Sequence, residues 1–237
     1  MRSWPSLHKR SSPVFPIFKL KSLGELVLNG CSSFEKFPEI LEPMERLRRL
    51  ELGGTKLKEL PCLIENAVGR KELELPGCRC FESVPNSTLP RSTVILWPSM
   101  YYLDLGGCTK LGEIPDCIFF RLKRLSRLDL GGSMIRRIPS TINQASELGE
   151  LIIRNCELLE SLPELPYGLG YINARGCKRL KTLSGFTTAR THGSYLNIAR
   201  DFYDCGSLDE NARRYSGRTR TRASTSLAVR EVKFQNG

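Results

Sequence analysis

The side chains here with the most chemical potential are nine cysteines, two histidines and a large set of carboxylates. Cysteine can ligate metal, form disulfides or act as a nucleophile, and each use leaves its own spacing. No Cys-x-x-Cys pair occurs, Cys78-x-Cys80 is not a zinc pattern, and the only histidines are His8 and His192. Cys205 has no histidine near it in the sequence, and His192 has no nucleophile to activate. The run Gly176-Cys177-Lys178-Arg179-Leu180-Lys181-Thr182 imitates a phosphate-binding loop, but Leu180 stands where the turn needs glycine. Neither a catalytic constellation nor a cofactor, metal or small-molecule site is expected, so the chain reads as a non-enzyme.

What the cysteines share is phase. Cys31, Cys78, Cys108, Cys156, Cys177 and Cys205 occupy one place in a recurring phrase, and Thr55 and Ser133 fill that place in the other copies. The phrase reads Leu23-x-x-Leu26-x-Leu28-x-x-Cys31, ending at Phe37-Pro38, and returns as Leu47-x-x-Leu50-x-Leu52-x-x-Thr55, ending at Leu60-Pro61. Further copies start at Arg70, Met100, Leu125, Leu148 and Leu169, and an eroded eighth survives as Phe202-x-x-Cys205-x-x-Leu208. The steps between the seven starts are 24, 23, 30, 25, 23 and 21 residues. Most lie within the roughly 20–29 residues of a leucine-rich repeat.

The elements follow from this periodicity. The x-Leu-x-Leu-x centre of each copy alternates with period two, so its aliphatics face inward and the intervening residues outward. Prolines at the ends of the copies withhold an amide hydrogen and send the chain to the convex side. A small, weakly polar side chain at the cysteine position suits a turn whose backbone groups need partners. The expected fold is an α/β leucine-rich-repeat solenoid, curved, with short parallel strands on the concave face and loops, 3-10 turns or short helices on the convex face. An irregular segment is expected over residues 1–19, about seven repeats over 20–184, a degenerate repeat or cap over 185–212, and a basic disordered tail over 213–237. Arg70 replaces the aliphatic of its neighbours and predicts a locally weak third repeat. Pro85, Pro90 and Pro98 predict an extended convex loop before Met100.

Outward strand positions then form three columns. The central one is Val27, Glu51, Glu74, Asp104, Asp129, Ile152 and Asn173. Before it run Glu25, Arg49, Glu72, Tyr102, Arg127, Glu150 and Tyr171; after it Asn29, Gly53, Pro76, Gly106, Gly131, Arg154 and Arg175. The middle of the array offers an acidic stripe flanked by Arg49 and Arg127, with Tyr102 as an aromatic contact, and Arg154 and Arg175 make the C-terminal end basic. Tyrosine and arginine are common interface anchors. Arg49, Glu51, Glu72, Glu74, Tyr102, Asp104, Arg127, Asp129, Glu150, Arg154, Tyr171 and Arg175 are the expected partner-binding residues. Gly53, Gly106 and Gly131 are expected to leave room for a partner's backbone.

The net charge of +11 suggests nucleic acid until it is located. Residues 1–19 hold +4 and residues 213–237 hold +6, leaving +1 for the repeats. A nearly neutral array with central acids gives no basic groove, so no nucleic-acid partner is expected. No run approaches the roughly 18 apolar residues of a membrane span, and residues 1–20 lack the continuous apolar stretch of a signal peptide. A cytoplasmic location follows, with Arg218, Arg220 and Arg222 as a candidate nuclear-import signal. Asn86-Ser87-Thr88 is a glycosylation sequon that such a location leaves unused.

Several stretches resemble the leucine-rich-repeat region of plant intracellular TIR-NB-LRR disease-resistance proteins over about residues 20–212. They are Leu28-Asn-Gly-Cys31-Ser-Ser-Phe34-Glu-Lys-Phe37-Pro-Glu-Ile40, Gly54-Thr-Lys-Leu-Lys-Glu-Leu-Pro61, Asn155-Cys-Glu-Leu-Leu-Glu-Ser-Leu-Pro-Glu-Leu-Pro166 and Phe202-Tyr-Asp-Cys-Gly-Ser-Leu-Asp-Glu-Asn-Ala-Arg213. Extracellular plant receptors of the same fold favour Asn at the cysteine position and a Gly-x-Ile-Pro phrase, matched here only by Gly112-Glu113-Ile114-Pro115. The resemblance implies an innate-immune recognition module that binds a pathogen effector or host immune protein through the concave face. The alternative is a truncated scaffold or decoy that binds partners without signalling. The family's TIR and nucleotide-binding domains have no counterpart in these residues, so NAD hydrolysis and nucleotide switching do not carry over. The Pro-broken order of Trp4, Val14, Phe15, Ile17, Phe18 and Leu20 predicts a poor cap and a protease-sensitive N-terminal edge.

Overall fold

The structure is a computed structural model that describes residues 23–36, 46–60, 71–84, 99–184, 199–210 and 212–213. Eight parallel strands form one sheet: β1 (Glu25–Val27), β2 (Arg49–Glu51), β3 (Lys71–Glu74), β4 (Met100–Asp104), β5 (Arg127–Asp129), β6 (Glu150–Ile152), β8 (Tyr171–Asn173) and β10 (Ala199–Asp201). They pair in chain order, which is the arrangement of a solenoid in which each repeat touches only its neighbours. Two further short strands, β7 (Ser161–Leu162) and β9 (Thr182–Leu183), pair with each other where the chain leaves the sheet. A 3-10 turn at Ser140–Gln144 crosses the convex side and buries Ile142.

Register follows the phase of the phrase. Leu26, Leu50, Leu73, Leu103, Leu128, Leu151 and Ile172 lie side by side through consecutive pairings. From Leu50 onward these side chains are buried, and they join one cluster that runs from Phe34 to Ala212. The burial of this stack, at about 25 cal/mol per Å² of apolar surface, is what drives the strands together. The fourth repeat fills its convex side with Ile118, Phe119 and Leu122. Residue types also explain the turns. One residue per repeat adopts positive φ, and it is glycine at 30, 54, 77, 107, 132 and 176, replaced by Asn155 (φ 57°) and Asp204 (φ 61°). Asn and Asp are the side chains that best tolerate this conformation.

The third repeat departs from the sequence reading. The residue of β3 that pairs with Met100 is Lys71, and the register shifts between Lys71 and Glu72, so Tyr101 is the extra residue of a bulge. Arg70, expected to be the weak point, lies outside the described residues. Lys71 takes the buried place instead, with its ammonium donating to the Leu47 carbonyl. Burial, and secondarily Arg48, lowers its pKa from 10.5 to about 8. The predicted loop before Met100, the N-terminal edge and the basic tail fall mostly or wholly outside the described residues.

Candidate protein-binding face

The cysteine position is a structural ladder. Cys78, Cys108, Cys156, Cys177 and Cys205 each donate Sγ–H to a backbone carbonyl of the preceding repeat, at Leu52 (3.0 Å), Leu75 (3.3 Å), Leu130 (3.2 Å), Ile153 (3.0 Å) and Ala174 (3.1 Å). Thr55 and Ser133 stand in the same ladder, 3.3 Å from Cys78 Sγ and 3.6 Å from Cys156 Sγ. Burial pushes the Cys108 thiol up to about 12 and the Cys205 thiol up to about 11. Cys177 is raised by its hydrogen bond with Cys156 and by burial. These are poor nucleophiles, because the thiolate is the reactive form. Thiol titration of the native chain should therefore label exposed Cys31 quickly and Cys78, Cys108, Cys156 and Cys177 only on unfolding. Equal rates for all would contradict the ladder.

The three outward columns take the places the sequence assigned them. Arg49, Glu72, Tyr102, Arg127, Glu150 and Tyr171 are directly paired in sequence order, as are Glu51, Glu74, Asp104, Asp129, Ile152 and Asn173. Their side chains, however, are committed to very different degrees. Arg49 is held by three carboxylates, at 2.9 Å from Glu51, 3.4 Å from Glu72 and 2.9 Å from Glu74. The hydrogen bond to Glu74 is the main cause that raises its pKa above the ordinary guanidinium value. Tyr101 donates its hydroxyl to Glu72 as well. The acidic stripe at this end is thus a clamp around a cation rather than a row of open carboxylates.

Asp104 and Asp129 serve their own backbone. Asp104 Oδ1 accepts the Gly106 N–H and Asp129 Oδ1 the Gly131 N–H, both at 2.8 Å. Asn173 and Asp201 do the same for Arg175 (3.1 Å) and Tyr203 (3.0 Å). A side-chain oxygen that satisfies the amide two residues on is a local turn device. Burial raises the pKa of both aspartates against the lowering effect of these amides. Tyr102 donates to Asp104 at 3.2 Å, and burial followed by the Asp104 charge raises its pKa. Arg127 lies 5.1 Å from the Tyr102 ring centroid and 3.4 Å from Glu150.

The expected room over the glycines is taken. A Cβ at Gly131 would lie 2.9 Å from Arg154 Cγ, and one at Gly53 would meet Asn29 Oδ1 and Pro76 Cγ at 3.0 Å. Side chains of the flanking repeats fold over these positions, so they admit this chain's own atoms in place of a partner's backbone. The sequence reading places an eroded eighth repeat at Phe202 but ends its columns at the seventh, without β10. Arg200 occupies the inward register there, so no leucine announces the strand, yet β10 adds Asp201 beside Asn173 and leaves Tyr203 exposed at the end of the third column. Asp201-Phe202-Tyr203, in phase with Asn173-Ala174-Arg175, was the available signal.

Among the described residues no group of three His, Cys, Asp or Glu could hold a metal, and no helix is long and apolar enough to cross a membrane. A family model described as disease resistance protein RPS4B-like, leucine-rich repeats, matches residues 19–122. Over that stretch the repeats are similar to the leucine-rich repeats of plant disease-resistance proteins. Disease resistance-like protein DSC1 of Arabidopsis thaliana is 34% identical over 83% of this chain and 16% of its own length. Disease resistance protein RPS4B, also of Arabidopsis thaliana, is 30% identical over 82% of this chain and 17% of its own length. The chain thus spans about a sixth of each of these relatives. Among solved structures, the leucine-rich repeat domain of the type III effector XopL superposes with a TM-score of 0.63 at 21% identity, covering 84% of this chain and 70% of that one, a likeness of fold alone. Leucine-rich-repeat domains are typically scaffolds for protein–protein contact rather than catalysts.

Proposed function

We propose that this chain is the recognition module of a plant innate-immune receptor, acting in the cytoplasm and binding a pathogen effector or host immune protein through its concave face. The observation that carries the reading is the alignment of outward residues in unbroken columns across the parallel sheet. That alignment presents tyrosines and arginines on a rigid frame, which lowers the entropy lost on binding. The resemblance to disease-resistance proteins supports the immune setting. Glu51, Glu74 and Glu72 shape the face through Arg49, Asp104 and Asp129 brace its turns, and Tyr102, Arg127, Glu150, Tyr171, Arg154 and Arg175 are left to meet a partner.

Site-specific photo-crosslinking in leaf extract tests the placement. A benzophenone amino acid at Glu72, Tyr102 or Tyr171 is expected to yield discrete protein adducts, while the same group at the exposed positions Arg136 and Glu147 yields none. Adducts confined to Arg136 and Glu147, or equal at all five positions, would overturn the assignment.

A further inference from the structure

Four arginines stand on the concave columns, and their surroundings divide them into two pairs. Arg49 is neutralised by its three glutamates, and Arg127 is shared between Glu150 and the Tyr102 ring. Arg154 and Arg175 are exposed, and among the described residues neither lies within ion-pair distance of a carboxylate. They follow one another in the third column, where the Asn155 amide donates to the Arg175 carbonyl at 2.7 Å. Parallel neighbours in a sheet lie about 4.8 Å apart, so the two cations start from adjacent rungs.

Both are braced without a carboxylate at ion-pair distance, and the charge of Arg154 also acts on Asp129 of the neighbouring strand. The stem of Arg154 lies over Gly131, where a Cβ would come within 2.9 Å of its Cγ. The Arg175 guanidinium stacks on Tyr203, 4.9 Å from the ring centroid, and Tyr203 is 69% exposed. Stacking leaves the edge N–H groups of a guanidinium free to donate. Two like charges on neighbouring rungs repel each other, and an anion received between them removes that repulsion while accepting hydrogen bonds from both. The rest of the face limits which anion fits. A nucleic-acid strand continuing along the columns would meet Glu150, Asp129 and Asp104, whereas a short acidic stretch can end at the arginines.

We propose that Arg154, Arg175 and Tyr203 form an anion-recognition subsite at the C-terminal end of the face, and that it takes the carboxylate side chains of an acidic peptide segment in the protein partner. The subsite rests on the concave-face reading and narrows it to a partner chemistry.

The test uses the full chain and fluorescein-labelled hexaglutamate, followed by fluorescence anisotropy at low salt. Hexaglutamate is expected to bind, and R154Q/R175Q to weaken it by at least about tenfold, the scale set by losing two charge-assisted contacts. The glutamines keep the stem over Gly131, and matching melting curves establish that the variant is folded. The off-face variant R136Q/R137Q should bind like the parent. Unchanged binding by R154Q/R175Q, or equal loss in R136Q/R137Q, overturns the subsite. Tighter binding of oligothymidylate with the same arginine dependence overturns it in favour of nucleic acid. A sedimenting dimer abolished by R154Q/R175Q overturns it in favour of a second copy of the chain. If hexaglutamate fails while crosslinks from Glu72, Tyr102 and Tyr171 persist, the subsite falls and the concave-face reading stands.

Discussion

Replacing Lys71 by methionine is expected to stabilise the chain by about 2 kcal/mol near neutral pH, raising the melting temperature by several degrees. Lys71 is 6% exposed and sits beside Met100, so methionine fills the place with a side chain the next repeat already uses. Lowering a lysine from 10.5 to about 8 corresponds to an upper bound of about 3 kcal/mol of charge burial, and losing the bond to the Leu47 carbonyl returns about 1 kcal/mol. The pH dependence fixes the cause. Between about 8 and 10.5 the unfolded chain binds more protons at this site than the folded one, so the wild type gains stability as pH rises through that window. Below pH 8 the penalty is present in full. The advantage of Lys71→Met should therefore be largest at pH 7 and shrink by pH 10, as read from paired melting curves. A variant that is less stable than the parent, or an advantage independent of pH, would show that the ammonium is not what the fold pays for here.

Lys71 also marks where legibility in the sequence ends. The columns are legible in the sequence because period two and the repeat step leave a single phase in which the recurring aliphatic of each strand points inward, and every rung from Leu26 to Ile172 obeys it. A bulge does not alter that pattern; it moves one residue into the buried place of another, and the phrase around Arg70 fits either choice. Side-chain commitments were less visible still. Asp104 and Glu74 occupy the same column, yet one reaches back to an amide two residues on and the other reaches across to Arg49 on the preceding strand. The difference is one methylene of reach, which periodicity does not encode. Gly131 looked like open space because it has no side chain, and the atoms that fill it come from Arg154, one repeat away.

Truncating the same inward rung at two places should cost very different amounts. Leu151→Ala is expected to lose about 3–4 kcal/mol, and Leu26→Ala about 1 kcal/mol. Leu151 is fully buried and has Leu128 on one side and Ile172 on the other, so removing its branched end opens a cavity that both neighbours line. Leu26 is only partly buried, and Leu50 is its one rung partner among the described residues. In a solenoid the coupling between repeats is carried by such nearest-neighbour contacts, so a central deletion also weakens communication between the two halves. Denaturant unfolding should then show a lower midpoint for Leu26→Ala with the slope of the parent. For Leu151→Ala it should show a larger fall with a shallower or two-step transition. Equal losses would mean that stability is shared evenly along the array, and that the half-covered first rung is as firmly held as the centre.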